Sequence, residues 1–231
     1  MCIIIFDQYI LMFETSDLTA WIIDHGVSQM ILEILIALCI VATIVSIARY
    51  IVGGKTYGIY APILLSIAYS YTGLKYGLAV TLVVILTSLL SYSVLRKVRM
   101  HYITRIATNY TILSIVLVLF FILVDEFGLG LENMSNIPPL AFISIAALSD
   151  FFIKQYVKKS LQSSTMTLLS TILVAIFGWY VITREVVSDY FLNNLWLIPI
   201  LAIINILVGM FKGLRIKDYF RFRFTSREDD K

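Results

Sequence analysis

Tyr57–Tyr71 reads YGIYAPILLSIAYSY, and whether this stretch crosses a bilayer decides the fold of the chain. It offers about 15 apolar residues, short of the ~20 that an upright transmembrane helix needs. Pro62 and the flanking glycines Gly54, Gly58 and Gly73 also suit a re-entrant turn. The surrounding charges decide the matter. Sixteen of the eighteen basic residues fall into four clusters: Arg49 with Lys55; Arg96, Lys97, Arg99 and Arg105; Lys154, Lys158 and Lys159; and seven from Lys212 to Lys231. Only Lys75 and Arg184 lie elsewhere. Apolar runs of bilayer length separate the clusters, so the positive-inside rule marks them as cytoplasmic. If Tyr57–Tyr71 did not cross, the next run, Leu74–Leu95, would deliver the Arg96–Arg105 cluster to the outside. Crossing keeps all four clusters on one side.

The other segments follow by alternation. Residues 1–48 carry Asp7, Glu14, Asp17, Asp24 and Glu33 but no lysine or arginine, and read as extracytoplasmic at their start. Asp17–Gly26 is expected to hold an interfacial helix with Trp21 as a headgroup-level anchor. The first span is then Ser28–Ile51, the third Leu74–Leu95 and the fourth Ile106–Val124. An acidic outer loop with Asp125, Glu126 and Glu132 comes next. A short fifth span, Pro138–Ile153, ends at the Lys154–Lys159 cluster. The sixth is Thr165–Thr183, followed by an outer loop Arg184–Asn194 and a seventh span, Leu195–Phe211. The expected fold is all-α: a polytopic integral membrane bundle of seven transmembrane helices, N-terminus outside and C-terminus inside. Residues 1–27 form the outer segment, 28–211 the membrane domain and 212–231 a basic cytoplasmic tail.

Composition agrees. The chain is 60% hydrophobic and 14% charged, with a mean hydropathy of +0.91, outside the globular mix. Its net charge of +3 is carried by loops that flank apolar spans. Topology and anionic headgroups explain that charge, and nucleic acid is not an expected partner. Cys2 and Cys39 are too few for a disulfide framework or a multi-cysteine metal site. Met1–Phe6 lacks a positive n-region, so the first span is expected to serve as its own insertion signal. His25 and His101 are expected on opposite sides of the membrane, which removes a paired-histidine site. No serine has a histidine or lysine partner at a recognisable catalytic spacing, so no enzymatic activity and no cofactor are expected.

Intramembrane polar groups are the candidates for function, because a lone charge in hydrocarbon costs several kcal/mol. Glu33 lies roughly 8 Å into the first span. It reads either as a proton- or cation-linked carboxylate or as a hydrogen-bonded residue near the outer interface. Asp150, at the inner end of span five, is expected to pair with a cytoplasmic basic residue. Asn109 and Asn205, in spans four and seven, read as interhelical hydrogen-bonding amides. Gly54/Gly58, Gly73/Gly77 and Gly209/Gly213 have GxxxG spacing but sit at span ends, where turns and caps compete with helix packing. Gly54-Lys55-Thr56 lacks the upstream glycine and strand of a phosphate-binding loop. It suits a tight cytoplasmic turn whose Lys55 and free amides meet an anionic headgroup.

Several stretches resemble a known family: Gly58-Ile59-Tyr60-Ala61-Pro62-Ile63-Leu64-Leu65, the Thr72-Gly73-Leu74 turn and Arg105-Ile106-Ala107. The most specific is Gly209-Met210-Phe211-Lys212-Gly213-Leu214-Arg215-Ile216-Lys217-Asp218 with Arg221-Phe222, whose spacing membrane insertion does not dictate. Residues 30–224 thereby resemble the seven-transmembrane domain usually fused to an inactivated transglutaminase-like domain in bacterial membrane proteins. The membrane subunit of capsule and polyglutamate synthases is a more distant likeness. Thr104 stands where the family tends to have proline, and Leu148-Ser149-Asp150 supplies only the acid of its acidic-basic pair. The outer N-terminal segment of about 27 residues is too short for a folded transglutaminase-like domain, so a stand-alone membrane domain is expected.

The resemblance implies a non-enzymatic accessory or docking subunit in the cytoplasmic membrane of a prokaryote. Its implied partners are a cytoplasmic ATP-grasp amino-acid ligase or an extracytoplasmic domain protein, besides the lipid bilayer. Lys55, Tyr57, Arg105, Arg215, Lys217 and Asp218 are the docking candidates. The alternatives are a transporter of a small polar or peptide-like substrate along Glu33, Tyr57, Tyr60 and Asp150, and a seven-helix receptor.

Overall fold

A computed structural model describes residues 15–126, 139–158 and 161–210. Glu132, Arg215, Lys217, Asp218 and the rest of the tail lie outside these residues. Among the described residues the chain is helical throughout: α1 (Thr15–Asp24), α2 (Gln29–Ile47) continued by a π-helical turn (Ala48–Val52), α3 (Tyr60–Thr72), α4 (Leu74–Leu95), α5 (Tyr102–Glu126), α6 (Pro139–Lys158), α7 (Leu161–Ile182), α8 (Glu185–Asn193) and α9 (Leu197–Met210). Each of the seven expected spans is a helix, and α4 has the expected bounds.

Helix α4 shows why these elements belong in a membrane. Val80, Val84, Ser88 and Ser91 face the protein, while Leu82, Leu86 and Leu90 are 59%, 52% and 70% exposed. A soluble helix would carry polar residues on that outer face; here leucine at i, i+4, i+8 faces the solvent of the helix, which is lipid. Among the described residues four helices are long and apolar enough to cross alone: Gln29–Val52, Leu74–Leu95, Ile103–Val124 and Gln162–Ile182. Glu185–Asn193 and Leu197–Met210 qualify together as a pair bent by 105°. Helix α3 has only 13 residues, about 20 Å. Its Leu65, Ser66 and Tyr69 are fully buried. One face of this short helix is packed against protein, while Tyr60 at its start and Leu64 remain exposed.

The chain divides into two compact units, residues 54–179 and the two flanking segments. In the flanking unit α2 packs on α8 and α9, and α1 on α8. Its core is Leu32, Ile36, Ile40 and Leu192, and the Thr19 hydroxyl donates to the Leu192 carbonyl. In the central unit α3 packs on α6 and α4, and α4 on α5 and α6, around Leu65, Tyr69, Val80, Val84, Ile145, Leu148 and Phe152. Helix α7 joins this unit by hydrogen bonds: Ser66 Oγ donates to the Ala175 carbonyl (2.9 Å) and Gln155 Nε2 to Thr167 Oγ1 (2.8 Å).

Two glycines shape the α3–α4 hairpin. Gly73, at φ 73°, turns the chain within one residue. A Cβ on Gly77 would come within 2.5 Å of the Tyr69 ring and 2.7 Å of Thr72 Oγ1. Close packing, rather than a turn, therefore requires glycine at the second position of this pair.

Three expectations drawn from charge are corrected. Helix α6 runs through Lys154 to Lys158, so that basic cluster begins on the last turns of a 20-residue helix and not in a loop. Helix α5 begins at Tyr102 and includes Arg105. Arg184–Asn194 is not a loop but contains α8, with Arg184 at its N-cap. In each case charged residues lie within or at the cap of a helix, so a charge does not by itself end one.

Candidate functional site

The central unit contains a cavity of about 410 Å³ near the ends of α4, α5 and α6. Helix α4 contributes Tyr92 and Leu95, α5 contributes Arg105, Ile106 and Asn109, and α6 contributes Asp150, Ile153, Lys154 and Val157. Helical spacing explains the convergence. Arg105 and Asn109 are four residues apart on α5, and Asp150 and Lys154 are four apart on α6, so each pair shares a face. The Tyr110 hydroxyl donates to Asp150 Oδ2 at 2.9 Å and ties these two helices together. Of the aromatic residues nearby, Tyr92 lines the cavity and meets Tyr156 edge to face at 5.7 Å, and Tyr156 lies parallel to Phe152 at 6.5 Å.

Polar satisfaction around this cavity is incomplete. Asn109 is buried, yet neither its Nδ2 nor its Oδ1 has a hydrogen-bond partner, and Arg105 Nε is also buried and unpaired. Ser91 and Ser149, next in sequence to Tyr92 and Asp150, bury hydroxyls in the same condition. A second, more open concavity is lined by Arg96, Arg99, His101 and Arg105 with Val98 and Met100. Arg105 belongs to both. Such a site can hold an anion or a polar headgroup. It contains no nucleophile–base pair, and among the described residues no group of three His, Cys, Asp or Glu gathers to hold a metal.

The expected site residues are placed as follows. Asp150 lines the cavity, and among the described residues its hydrogen-bond partner is Tyr110 and not the expected basic residue. Tyr57 is buried: its N–H donates to Thr171 Oγ1 (3.1 Å) and its hydroxyl to the Ser164 carbonyl (2.7 Å). It fastens α7 and drops out of the exposed docking set, and these two bonds leave it no free donor for a transport path. Lys55 and Tyr60 are exposed. In the flanking unit Glu33, half-buried, accepts from Gln29 Nε2 at 2.9 Å. Asn205 Nδ2 donates to Thr43 Oγ1 at 2.9 Å, joining α9 to α2. Arg215, Lys217 and Asp218 fall outside the described residues. Sequence reasoning missed Tyr92 and Tyr110. The paired i, i+4 spacings Arg105/Asn109 and Asp150/Lys154 were the available signal.

The family described as seven transmembrane helices usually fused to an inactive transglutaminase matches residues 17–226. No curated protein and no solved structure matches the chain.

Proposed function

Because the chain belongs to the family of seven transmembrane helices usually fused to an inactive transglutaminase, we propose that it is a non-enzymatic accessory domain whose basic end docks a soluble partner. One observation carries this reading: Arg96, Arg99, His101 and Arg105 converge on a single concave surface of the central unit. The positive-inside rule supports a cytoplasmic placement of that end, and the family resemblance suggests a prokaryotic cell. Clustered positive charge of this kind speeds and orients encounter with an acidic partner. The resemblance of the sequence implies an ATP-grasp amino-acid ligase as that partner. Lys55, Arg215, Lys217 and Asp218 are further candidates for docking in this reading.

A photo-crosslinking residue in place of exposed Val98, in the full chain in native membranes, tests the reading. The expected product is an adduct with an ATP-grasp ligase, lost in the Arg96→Glu/Arg99→Glu variant. Adducts with lipid alone, or with proteins of other classes only, would overturn it.

A further inference from the structure

The cavity between α4, α5 and α6 carries charges of both signs beside an amide with nothing to bond. Asn109 is 3% exposed, lines the cavity and has no partner for its Nδ2 or its Oδ1. One turn earlier on the same helix, Arg105 lines the cavity with a buried, unpaired Nε. The Asp150 carboxylate enters from α6, with its Oδ2 accepting the Tyr110 hydroxyl. Lys154 also lines the cavity, but its ammonium sits 5.9 Å from the centre of the Phe151 ring. The buried cationic donor left for a ligand is therefore Arg105 Nε–H.

The Tyr110–Asp150 bond sets the depths of these groups. Arg105 precedes Tyr110 by five residues on α5, so it lies about 7.5 Å nearer the start of that helix than the level of Asp150. That start is the basic end, where Arg105 also borders the concavity of Arg96, Arg99 and His101. Clustered charge of this kind requires water, so water meets the cavity at Arg105, and Asn109 and Asp150 form its inner end. Ile106, Ile153 and Val157 line the part in between. An inorganic anion at the inner end would be repelled by Asp150, and a simple cation by Arg105. A zwitterion satisfies both. In an α-amino acid the two charged groups share one carbon, and with a hydrogen bond on each side they span roughly 8 Å, which matches the offset between Arg105 and Asp150.

We propose that this cavity binds a free α-amino acid with an aliphatic side chain, admitted from water at the basic end. Arg105 Nε–H and Asn109 Nδ2–H donate to its carboxylate. Its ammonium donates to Asp150 and to Asn109 Oδ1, and its side chain lies against Ile106, Ile153 and Val157. The site rests on the cavity alone and not on the docking reading. Arg96→Glu/Arg99→Glu is expected to abolish partner capture yet change amino-acid affinity less than about twofold, because a zwitterion has no net charge for the outer field to attract.

The test is calorimetric titration of the full-length chain in a non-ionic detergent with three probes. These are L-leucine, isocaproate, which lacks the ammonium, and isoamylamine, which lacks the carboxylate. Leucine is expected to saturate a single site, and each analogue to bind about tenfold more weakly, the loss of one set of charge-assisted hydrogen bonds. Arg105→Gln is expected to remove the advantage of leucine over isoamylamine while keeping its advantage over isocaproate. Asp150→Asn is expected to do the reverse. Each ratio is read within one variant, so a general loss of stability does not imitate it. Asn109→Leu is expected to weaken leucine about tenfold. No saturable binding of leucine up to about 20 mM, an affinity far below that of a specific site, overturns the proposal. Equal affinity for leucine and isocaproate overturns the role of Asp150, and with it the zwitterion. Unchanged ratios in the two charge variants, or in Arg105→Gln alone should Asp150→Asn not fold, overturn the site.

Discussion

Asn205 and Asn109 are the same residue type at similar places in two membrane helices, and the two units treat them oppositely. In the flanking unit Asn205 donates to Thr43 across a helix pair, and Glu33 is satisfied by Gln29 four residues earlier. In the central unit Asn109 is buried beside a cavity with both amide atoms unpaired. A polar residue in hydrocarbon must find a partner or meet an energetic cost. The first case therefore reads as an interhelical clip and the second as a place made ready for something else. The difference teaches that an amide within a span has no fixed meaning; its neighbours assign one.

The most direct way to break this comparison is to show that the central unit is loosely packed, so that Asn109 is a mere packing defect. Gly77→Val tests that, because even a Cβ would sit within 2.5 Å of the buried Tyr69 ring. Overpacking of this kind should cost about 3 kcal/mol, read as a lower Tm of the full chain in detergent. A nearly unchanged Tm would mean the α3–α4 hairpin gives way easily. Next in size is Tyr57→Phe, which removes the hydroxyl bonded to the Ser164 carbonyl. A loss of about 1.5 kcal/mol is expected, and denaturant titration would show whether polar groups away from the cavity are as firmly paired as the geometry indicates.

The comparison itself is sharpened by giving both asparagines the same substitution. Asn109→Leu should stabilise the ligand-free protein by about 1 kcal/mol, since an unpaired buried amide disappears. Asn205→Leu should destabilise it by about 0.6 kcal/mol, the usual worth of a hydrogen bond between membrane helices. Melting curves that moved in the same direction would erase the distinction between clip and site. The smallest effect belongs to Glu33→Gln, where the partner is an exposed neighbour on the same helix. A change within about 0.5 kcal/mol is expected; a large shift in Tm would show that Glu33 does more than bond locally.

The helices were legible to different degrees for physical reasons. Leu74–Leu95 could be bounded from its residues because glycine precedes it and a run of basic residues follows. Helix α8 was not legible: Arg184–Asn194 read as an outer loop, and the nine residues of the helix are too few for a hydropathy signal. At the candidate site the participating residue types were visible, Arg105, Asn109 and Asp150 among them, but not their relation. Nothing in the sequence singled out Tyr110, whose hydroxyl packing sets against Asp150.

Sequence alone determined that this is an all-helical membrane protein, which segments are apolar, and which ends of those segments carry positive charge. These are one-dimensional properties, since transfer from water to lipid depends on the composition of a segment and its length. Only the tertiary structure decided that Tyr57 is an internal fastener, that Asn205 is paired, and that Asn109 and Arg105 face a cavity. Those properties depend on which side chains from distant parts of the chain come within hydrogen-bond reach, and packing alone sets that distance.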